Sequence, residues 1–191
     1  ELDGQAEAIK REMDETARIL RELGARHTVI AETSEEAARL WLARKLVSPA
    51  IAKVKPTKIS EDATVPRSQI PAMMERLHEI KERYGIHLVV FGHAGDGNLH
   101  PNIMCDKRDC EEMQRVEQAV SDIFTAAIEL GGTLSGEHGI GTMKAPFLER
   151  ELGPYGVKMM KRIKRAWDPN NILNPGKIFA EPGQKLVLQD G

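Results

Sequence analysis

The amino-acid sequence predicts an α+β fold: a ferredoxin-like antiparallel sheet with helices on one face, followed by a C-terminal helical segment. Three observations predict it. Stretches with apolar residues every three to four positions, typical of amphipathic helices, alternate with short β-branched stretches. Two of the strand-like stretches flank Asp96-Gly97, a dipeptide that favours a tight hairpin. Two further helical patterns then lead to a tail rich in proline and glycine.

The N-terminal part predicts two helices separated by a short strand. From Gln5 to Leu23 the apolar residues keep helical spacing, so this helix should bury one face. The stretch 27–31 is β-branched and predicts a strand. A second helix is expected to begin at Thr33 or Ser34, both good N-caps, and to run toward Leu46.

A proline-containing stretch follows, and we expect residues 48–67 to form a long functional loop. Pro49, Pro56 and Pro66 lie in it. Proline fixes its own φ and has no backbone donor, which disfavours a long helix or a central strand.

The central part predicts the elements that surround the hairpin. A helix is expected from Pro71 to about Tyr84, where Gly85 can end it. After the hairpin, Asp106 or Asp109 can cap a long helix that ends before a pair of glycines. Two shorter helices, about 144–152 and 155–167, complete the pattern.

The hairpin itself brings two histidines together. Its strands are predicted over 87–93 and 98–104. A two-residue turn at Asp96-Gly97 would place His93 directly opposite His100, with Asn102 on the same face. Two imidazoles in this arrangement could chelate a metal ion, whereas the alternative is a pair of polar residues on a solvated strand.

Glycines around the hairpin favour the first interpretation. Gly92, Gly95 and Gly97 remove side chains from the surroundings of the two histidines. A solvated strand does not need this, but the close approach of a ligand or cofactor does.

A second glycine-rich stretch supplies a glutamate next to a histidine. In Gly136-Glu137-His138-Gly139-Ile140-Gly141, Glu137 can complete a set of two histidines and one carboxylate that leaves metal positions open. His138 could then accept a proton. Adjacent residues in such a loop could also exchange these roles, and an ordinary glycine-rich turn is the alternative. The stretch lacks the spacing of a nucleotide fingerprint.

Composition and charge exclude several classes of protein. The chain has 191 residues, 41% hydrophobic and 29% charged, and its formal net charge is -2. This balance gives no global attraction to nucleic acid or to an acidic membrane. No apolar stretch approaches the length of about 18 residues that a membrane span needs, and the acidic start does not resemble a signal peptide. We therefore expect a cytoplasmic protein.

Three motifs, in their order and spacing, resemble the C-terminal region of FAD-linked oxidases of the vanillyl-alcohol oxidase superfamily. They are the stretch from His93 to Asn102, the Gly136–Gly141 stretch, and Asn174-Pro175-Gly176-Lys177. The resemblance also covers Arg44-Lys45 and residues 61–67. It is greatest to glycolate oxidase flavoprotein subunits and to D-lactate and D-2-hydroxyglutarate dehydrogenases.

The resemblance implies roles for individual residues. It implies a divalent metal (zinc, manganese or iron) on His93, His100 and Glu137, and a catalytic base at His138. The remaining implied residues fall into two groups. Substrate contacts are implied at Arg44, Ser48, Lys58 and Asn102, and flavin contacts at Gly139 and Asn174.

The resemblance also implies an organisation and a reaction. Residues 1–143 would be a substrate- and metal-binding cap domain, and residues 144–191 a segment that returns toward the flavin. The N-terminal FAD-binding domain is expected to be absent from this chain. The expected reaction is the FAD-dependent oxidation of a small D-2-hydroxy acid, of the glycolate or D-lactate type, to a 2-oxo acid by hydride transfer.

The same resemblance sets the expected partners and the alternatives. We expect the FAD-binding domain of the parent protein and an electron acceptor protein or quinone chain as partners, with a homodimer and peripheral attachment to the inner membrane through a partner as options. Two alternatives stay open: a non-catalytic metal-binding or assembly module, and a member similar to ether-lipid synthases. Those synthases carry a run of histidines where this chain has Gly136-Glu137-His138, so Glu137 favours the metal-dependent hydroxy-acid branch.

Overall fold

The structure is a computed structural model that describes residues 2–179. Five helices and four strands lie in this range, together with two short 3-10 turns. In chain order the elements are α1 (Ala6–Glu22), α2 (Ser34–Ile51), β1 (Thr57–Ser60), β2 (Ala63–Thr64), α3 (Ile70–Tyr84), β3 (His87–His93), β4 (Asn98–Cys105), α4 (Cys110–Glu129) and α5 (Leu148–Trp167). The chain divides into two compact units, Glu1–Ser48 and Pro49–Gly191.

The first unit contains α1 and most of α2. Helix α1 ends as the glycine after Leu23 predicts: Gly24 has a φ of 88°, and the N–H of Ala25 donates to the carbonyl of Leu20. The strand predicted over 27–31 is wrong, because these residues belong to no strand or helix. A strand needs a hydrogen-bonded neighbour, and the described residues provide none for it.

The second unit is built on an antiparallel sheet with ferredoxin-like topology. Strand β4 lies at its centre, with β3 on one side and both β1 and β2 on the other. Beyond β2, Thr64 forms an isolated antiparallel bridge with Thr133, in the place of the last strand of a ferredoxin-like fold. The predicted α+β class and sheet type are confirmed.

A proline in the central strand explains why β1 and β2 are separate. The N–H of Glu61 donates to the carbonyl of Pro101, so the two residues occupy a hydrogen-bonded pair position. Pro101 has no N–H with which to return that bond. The ladder is therefore interrupted between Ser60 and Ala63, although the register continues across the gap.

The two faces of the sheet differ in chemistry because side chains alternate along each strand. One face carries Ile59, Leu99 and Ile103, which are buried in the core with residues of α3 and α4. The helical contribution to that core includes Met73, Leu77, Ile80, Val116, Val120, Ile123 and Phe124. The opposite face carries the polar side chains of the site described below.

The proline-containing stretch is more regular than predicted, and the loop over 48–67 is wrong. Helix α2 continues through Pro49 to Ile51. In the last turn of a helix, the proline costs a single backbone hydrogen bond. Residues 57–60 and 63–64 then form strands because β4 offers them an unpaired edge.

The other predicted helices are confirmed. Helix α3 ends at Gly85, which has a φ of 59°. Of the two aspartates considered as caps for α4, Asp109 is the N-cap, since its carboxylate accepts the N–H groups of Glu111 and Glu112. Gly153, with a φ of 66°, divides α5 into two pieces, as the pattern of two short helices predicts.

Candidate functional site

The hairpin has a longer turn than predicted, so the histidine pairing is shifted. Ala94–Gly97 forms a four-residue turn in which the N–H groups of Asp96 and Gly97 donate to the carbonyl of His93. His93 pairs with Asn98, and His100 pairs with Phe91. The prediction that His93 stands directly opposite His100 is wrong, because the turn is centred one residue earlier than Asp96-Gly97.

The two histidines nevertheless share a face. A register shift of two residues leaves every side chain on its original face, because the strand repeat is two residues. His93 and His100 are therefore diagonal neighbours, with ring centroids 5.2 Å apart and ring planes at 89°. His100 is buried and His93 is exposed, so one imidazole lies in the interior and the other at the surface.

Glu137 joins the two imidazoles from the glycine-rich loop. Its Oε1 atom lies 3.0 Å from Nε2 of His100 and 3.5 Å from Nε2 of His93. One ligand atom from each residue can be chosen so that all three lie within 4.8 Å of one another. Imidazole and carboxylate ligands bind zinc at about 2.0–2.2 Å, so ligands of one ion lie about 3–3.6 Å apart. The donor types and their spacing fit a divalent metal.

The buried member of the set is prepared to act as a neutral ligand. Burial lowers the pKa of His100, and this effect outweighs the nearby carboxylate of Glu137, which acts in the opposite direction. A neutral imidazole is the form that binds a metal ion. The other ring nitrogen of His100, Nδ1, is buried and has no hydrogen-bond partner among the described residues.

The loop that carries Glu137 is held by Asp62. The side chain of Asp62 is fully buried, and its Oδ2 atom accepts the backbone N–H groups of Gly136, Glu137 and His138 at 2.8, 2.7 and 2.9 Å. Burial alone would raise the pKa of Asp62. The N–H groups and the Lys144 ammonium outweigh burial and lower that pKa to about 2.

Lys144 is the buried cation of this cluster. Its Nζ atom contacts Oδ1 of Asp62 and lies 3.9 Å from Oε2 of Glu61. Burial raises the pKa of Glu61 to about 7, against the opposing effect of Lys144, and Asp62 raises it further. Oε1 of Glu61 is buried without a hydrogen-bond partner in the part of the chain that the structure describes.

His138 lies beside the metal-type cluster and outside it. Its ring stacks on that of His100, with centroids 5.2 Å apart and an interplanar angle of 4°. Nδ1 of His138 lies 3.7 Å from Oδ1 of Asp62. The side chain is 40% exposed, so it is accessible to a small molecule.

The glycines near the hairpin have a different role from the one predicted. A Cβ atom at Gly92 would lie 2.3 Å from the carbonyl oxygen of Asn98, and one at Gly97 would lie 2.0 Å from that of Val65. These two glycines admit neighbouring backbone of this chain, so the expected close approach of a ligand or cofactor is wrong for them. Gly95 has open space around it.

Two predicted substrate residues share the histidine face of the sheet. Asn102 lies two residues after His100 on β4, and Lys58 lies on β1 opposite Met104. Asn102 is fully buried, and its Nδ2 donates to the carbonyl of His100. Its Oδ1 atom is buried with no partner among the described residues.

The other two predicted substrate residues lie in the first unit. Arg44 and Ser48 are both half-buried on α2. Arg44 lines a cleft of that unit together with Leu40 and Trp41. Their predicted contacts with substrate stay predictions.

The predicted flavin residues lie in two exposed segments outside the helices and strands. Gly139 has a φ of 79°, and its N–H donates to Oγ of Ser135. Asn174 has a φ of 46° in the segment after α5. This segment returns to the glycine-rich loop, where the N–H of Ile178 donates to the carbonyl of Gly141 at 2.7 Å. The predicted segment 144–191 extends beyond the described residues after Phe179.

The sequence patterns gave no role to Asp62, Lys144 or Ser135. Asp62 follows a strand in a stretch that resembles a loop, and Lys144 opens a predicted helix. The one local signal for Asp62 is an acidic residue directly before the stretch Ala63-Thr64-Val65. The sequence gives no indication of its partners Gly136 and Lys144, because they lie far away along the chain.

Within residues 2–179, no helix is both long enough and apolar enough to cross a lipid bilayer.

Comparisons with known proteins agree with the resemblance. The chain is 50% identical over 190 residues to the glycolate oxidase subunit GlcD of Bacillus subtilis, covering 100% of this chain and 40% of that protein. It is 39% identical over 169 residues to a D-lactate dehydrogenase of Archaeoglobus fulgidus, covering 87% and 36%. It is 36% identical over 156 residues to a D-2-hydroxyglutarate dehydrogenase of Stutzerimonas stutzeri, covering 80% and 33%.

The chain thus spans about two fifths or less of the length of these relatives. The family profile described as "FAD linked oxidases, C-terminal domain" matches residues 1–178. This match covers the first unit, the second unit as far as residue 178, and the whole histidine and glutamate cluster. The chain belongs to the family of FAD-linked oxidases, through their C-terminal domain.

Proposed function

We propose that this chain forms the substrate- and metal-binding part of an FAD-dependent dehydrogenase that oxidises a small D-2-hydroxy acid to a 2-oxo acid. The observation that carries the proposal is the convergence of His93, His100 and Glu137, with the ring of His138 stacked beside them. The names of the relatives, a glycolate oxidase subunit and dehydrogenases of D-lactate and D-2-hydroxyglutarate, support the substrate class.

His93, His100 and Glu137 would hold the metal ion. Two imidazoles and one carboxylate suit zinc, manganese or ferrous iron, and they leave positions free for substrate oxygens. A divalent metal bound there would act as a Lewis acid that lowers the pKa of the substrate hydroxyl. Because His93 and Glu137 are half exposed, a metal ion held by the three side chains would lie at the surface end of the hairpin.

His138 would remove the hydroxyl proton. Its Nδ1 atom lies on the side of Asp62, 3.7 Å from Oδ1, which leaves Nε2 to accept the proton. A flavin bound by the parent protein would accept the hydride from C2, so that loss of the proton to His138 and of the hydride to the flavin would convert the C–O bond into the carbonyl of the 2-oxo acid. Because the ring of His138 stacks on that of His100, the imidazole would lie beside a substrate bound at the metal.

The substrate carboxylate would be held by cations and by an amide. Lys58 and Asn102 share the histidine face of the sheet, so both are suitably oriented for a substrate that also reaches His138. Arg44 would add a planar bidentate contact, and Ser48 a hydroxyl, from the first unit. Gly139 and Asn174 would contact the flavin.

The proposal includes the wider organisation of the protein. Residues 1–143 would form the cap, and residues 144–191 would return toward the flavin. The hydrogen bond from Ile178 to Gly141 supports such a return as far as the described residues extend. An FAD-binding domain, an electron acceptor protein or quinone chain, and a second copy in a homodimer would be its partners. The site of action would be the cytoplasm or the cytoplasmic side of the inner membrane.

The decisive experiment measures turnover by the full-length flavin-loaded protein. Glycolate, D-lactate and D-2-hydroxyglutarate would be compared with L-lactate, with an artificial electron acceptor, before and after metal removal by a chelator. We expect oxidation of at least one of the first three, loss of activity on chelation, and recovery when zinc, manganese or iron is returned. Bound metal without turnover of any hydroxy acid would favour a non-catalytic metal-binding module instead.

A further inference from the structure

We propose that Asp62 is a positioning residue: its buried carboxylate fixes the backbone of residues 136–138 so that Glu137 faces His93 and His100, and His138 stacks on His100. The inference deepens the proposed function and rests on it for the roles of Glu137 and His138. It concerns a residue whose carboxylate contacts no side-chain donor atom of a metal ligand, and whose two oxygens are already engaged by the loop and by Lys144.

The position of Asp62 in the sheet is the first step. The register pairs Ser60 with Asn102 and Ala63 with Leu99, so Asp62 lies at the position opposite His100. Residues that are opposite in neighbouring strands share a face. Asp62 therefore starts from the same face as the histidines, at the edge of the sheet where the glycine-rich loop arrives.

The hydrogen bonds of the loop converge on this one side chain. Of the four consecutive N–H groups from Gly136 to Gly139, the first three donate to Oδ2 of Asp62. The fourth donates to Oγ of Ser135, and that hydroxyl in turn donates to Asp62. The backbone conformation of the loop is thus tied to a single carboxylate, directly or through Ser135.

A loop of this composition needs such an anchor. Gly136, Gly139 and Gly141 give the segment wide conformational freedom, and residues 135–140 belong to no helix or strand. The side chains of Glu137 and His138 are 51% and 40% exposed, so packing restrains them little. Three N–H groups pointing at one oxygen also form the kind of concave site that favours a full negative charge.

Lys144 provides the opposite charge that allows a buried carboxylate. Its ammonium contacts the second oxygen of Asp62, Oδ1, and also donates to the carbonyl oxygen of Asp62 at 3.2 Å. The two oxygens therefore have different main partners: Oδ2 accepts all three backbone N–H groups of the loop, and Oδ1 pairs with the lysine, while the Ser135 hydroxyl lies 3.2 Å from both. This division allows an experiment to separate positioning of the loop from neutralisation of Lys144.

Two double variants of the full-length protein make the comparison: Asp62→Asn with Lys144→Met, and Asp62→Ala with Lys144→Met. Neither contains the buried lysine charge, so neither leaves a cation unpaired. They differ in whether residue 62 offers an oxygen to the loop. Lys144→Met alone is the reference for the loss of the cation, and Asp109→Ala, which removes a carboxylate cap from α4, is the control for lost stability.

The first measurement is the dissociation constant for zinc and for manganese, by titration calorimetry on the metal-free protein. Removal of a group that holds a metal ligand in place without itself binding the metal typically weakens metal affinity about 10-fold to 100-fold. We expect that loss in the Asp62→Ala double variant, and affinity within a few-fold of Lys144→Met in the Asp62→Asn double variant. Asp109→Ala should bind as the parent does. Equal affinities in the two double variants, both folded by circular dichroism, would overturn the proposal.

The second measurement is hydrogen exchange in a peptide that covers residues 136–139, on the parent and on both double variants. The parent amides should be protected, because they donate to a buried acceptor, and only the alanine variant should lose that protection. Fully exchanging amides in the parent would overturn the proposal even if a variant failed to fold. If the parent binds no metal, the metal-dependent function fails, while exchange still decides whether Asp62 holds the loop.

Discussion

Oε1 of Glu137 lies 3.0 Å from Nε2 of His100, so an exposed loop carboxylate meets a buried strand imidazole at the spacing of two ligands of one metal ion. Asp62 holds this loop against the sheet by accepting the backbone N–H groups of residues 136–138. Metal binding by the full-length protein should therefore depend on the carboxylate of Glu137.

Replacement of the loop carboxylate should release the metal. Glu137→Gln keeps the size of the side chain but removes the charged ligand. We expect metal affinity to fall by at least about 10-fold, because the loss of a group that only holds a metal ligand in place already weakens metal affinity by about that factor. The measurement is metal content by mass spectrometry after dialysis. Glu111→Gln, at an exposed helix position, is the control. Unchanged metal content in Glu137→Gln would show that Glu137 is not a ligand.

Loss of the proposed base should lower turnover without affecting metal content. His138→Ala removes the imidazole that would accept the hydroxyl proton, and we expect kcat to fall by about 10²–10⁴-fold. Steady-state kinetics with the best hydroxy acid measures this, with metal content measured in parallel. His78→Ala, on an exposed position of α3, should behave as the parent does. A kcat equal to that of the parent would remove His138 from the mechanism.

Removal of the proposed carboxylate contact should mainly raise KM. Lys58→Met keeps most of the aliphatic side chain on the histidine face of the sheet but removes its charge. A hydrogen bond to a charged group contributes about 1.5–3 kcal/mol, which corresponds to a rise in KM of about 10-fold to 100-fold. Lys53→Met, at an exposed position, is the control. Identical KM values in the two variants would contradict a substrate contact at Lys58.

A single methyl group in the loop should disturb the site. A Cβ atom at Gly136 would lie 2.3 Å from Oγ1 of Thr64 and 2.7 Å from Cγ of Asn98, so Gly136→Ala must displace either the loop or these two side chains, which pack against it. We expect weaker metal binding and lower kcat together, because Glu137 and His138 both follow this position. Gly95→Ala, which meets nothing within 4 Å, is the matched control. If Gly136→Ala kept the metal affinity and kcat of the parent, the close approach would be unimportant.

The buried carboxyl of Glu61 should make stability depend on pH. Burial raises its pKa from an ordinary value of 4.5 to about 7 in the folded protein. The folded state therefore holds the proton more tightly than the unfolded state does. This stabilisation is complete below about pH 4.5 and is lost as the pH rises through about 7.

Glu61→Gln should accordingly stabilise the protein at neutral and alkaline pH. A neutral amide has no proton to lose, so the free energy of unfolding should exceed that of the parent by about 1–3 kcal/mol at pH 8, and by much less at pH 4.5. Urea unfolding at the two pH values measures the difference. A variant that is less stable than the parent at pH 8 would show that the charged carboxylate is needed beside Lys144.

Much of the local structure could be predicted from the sequence. Helix ends followed from residues that act within one turn, such as Gly85 after α3 and Asp109 before α4. The hairpin strands followed from their β-branched composition. The sharing of one face by His93 and His100 followed from the two-residue repeat, which a register shift of two does not change.

Only the tertiary structure decided the features that depend on distant partners. The register of the hairpin depends on where its turn closes, so His93 pairs with Asn98 and lies diagonal to His100. Strands in the proline-containing stretch exist because β4 offers hydrogen bonds that no local pattern reveals. The anchoring of the loop by Asp62 belongs to the same class. Periodicity and capping act over a few residues, whereas hydrogen bonds between separate segments form only when the whole chain has folded.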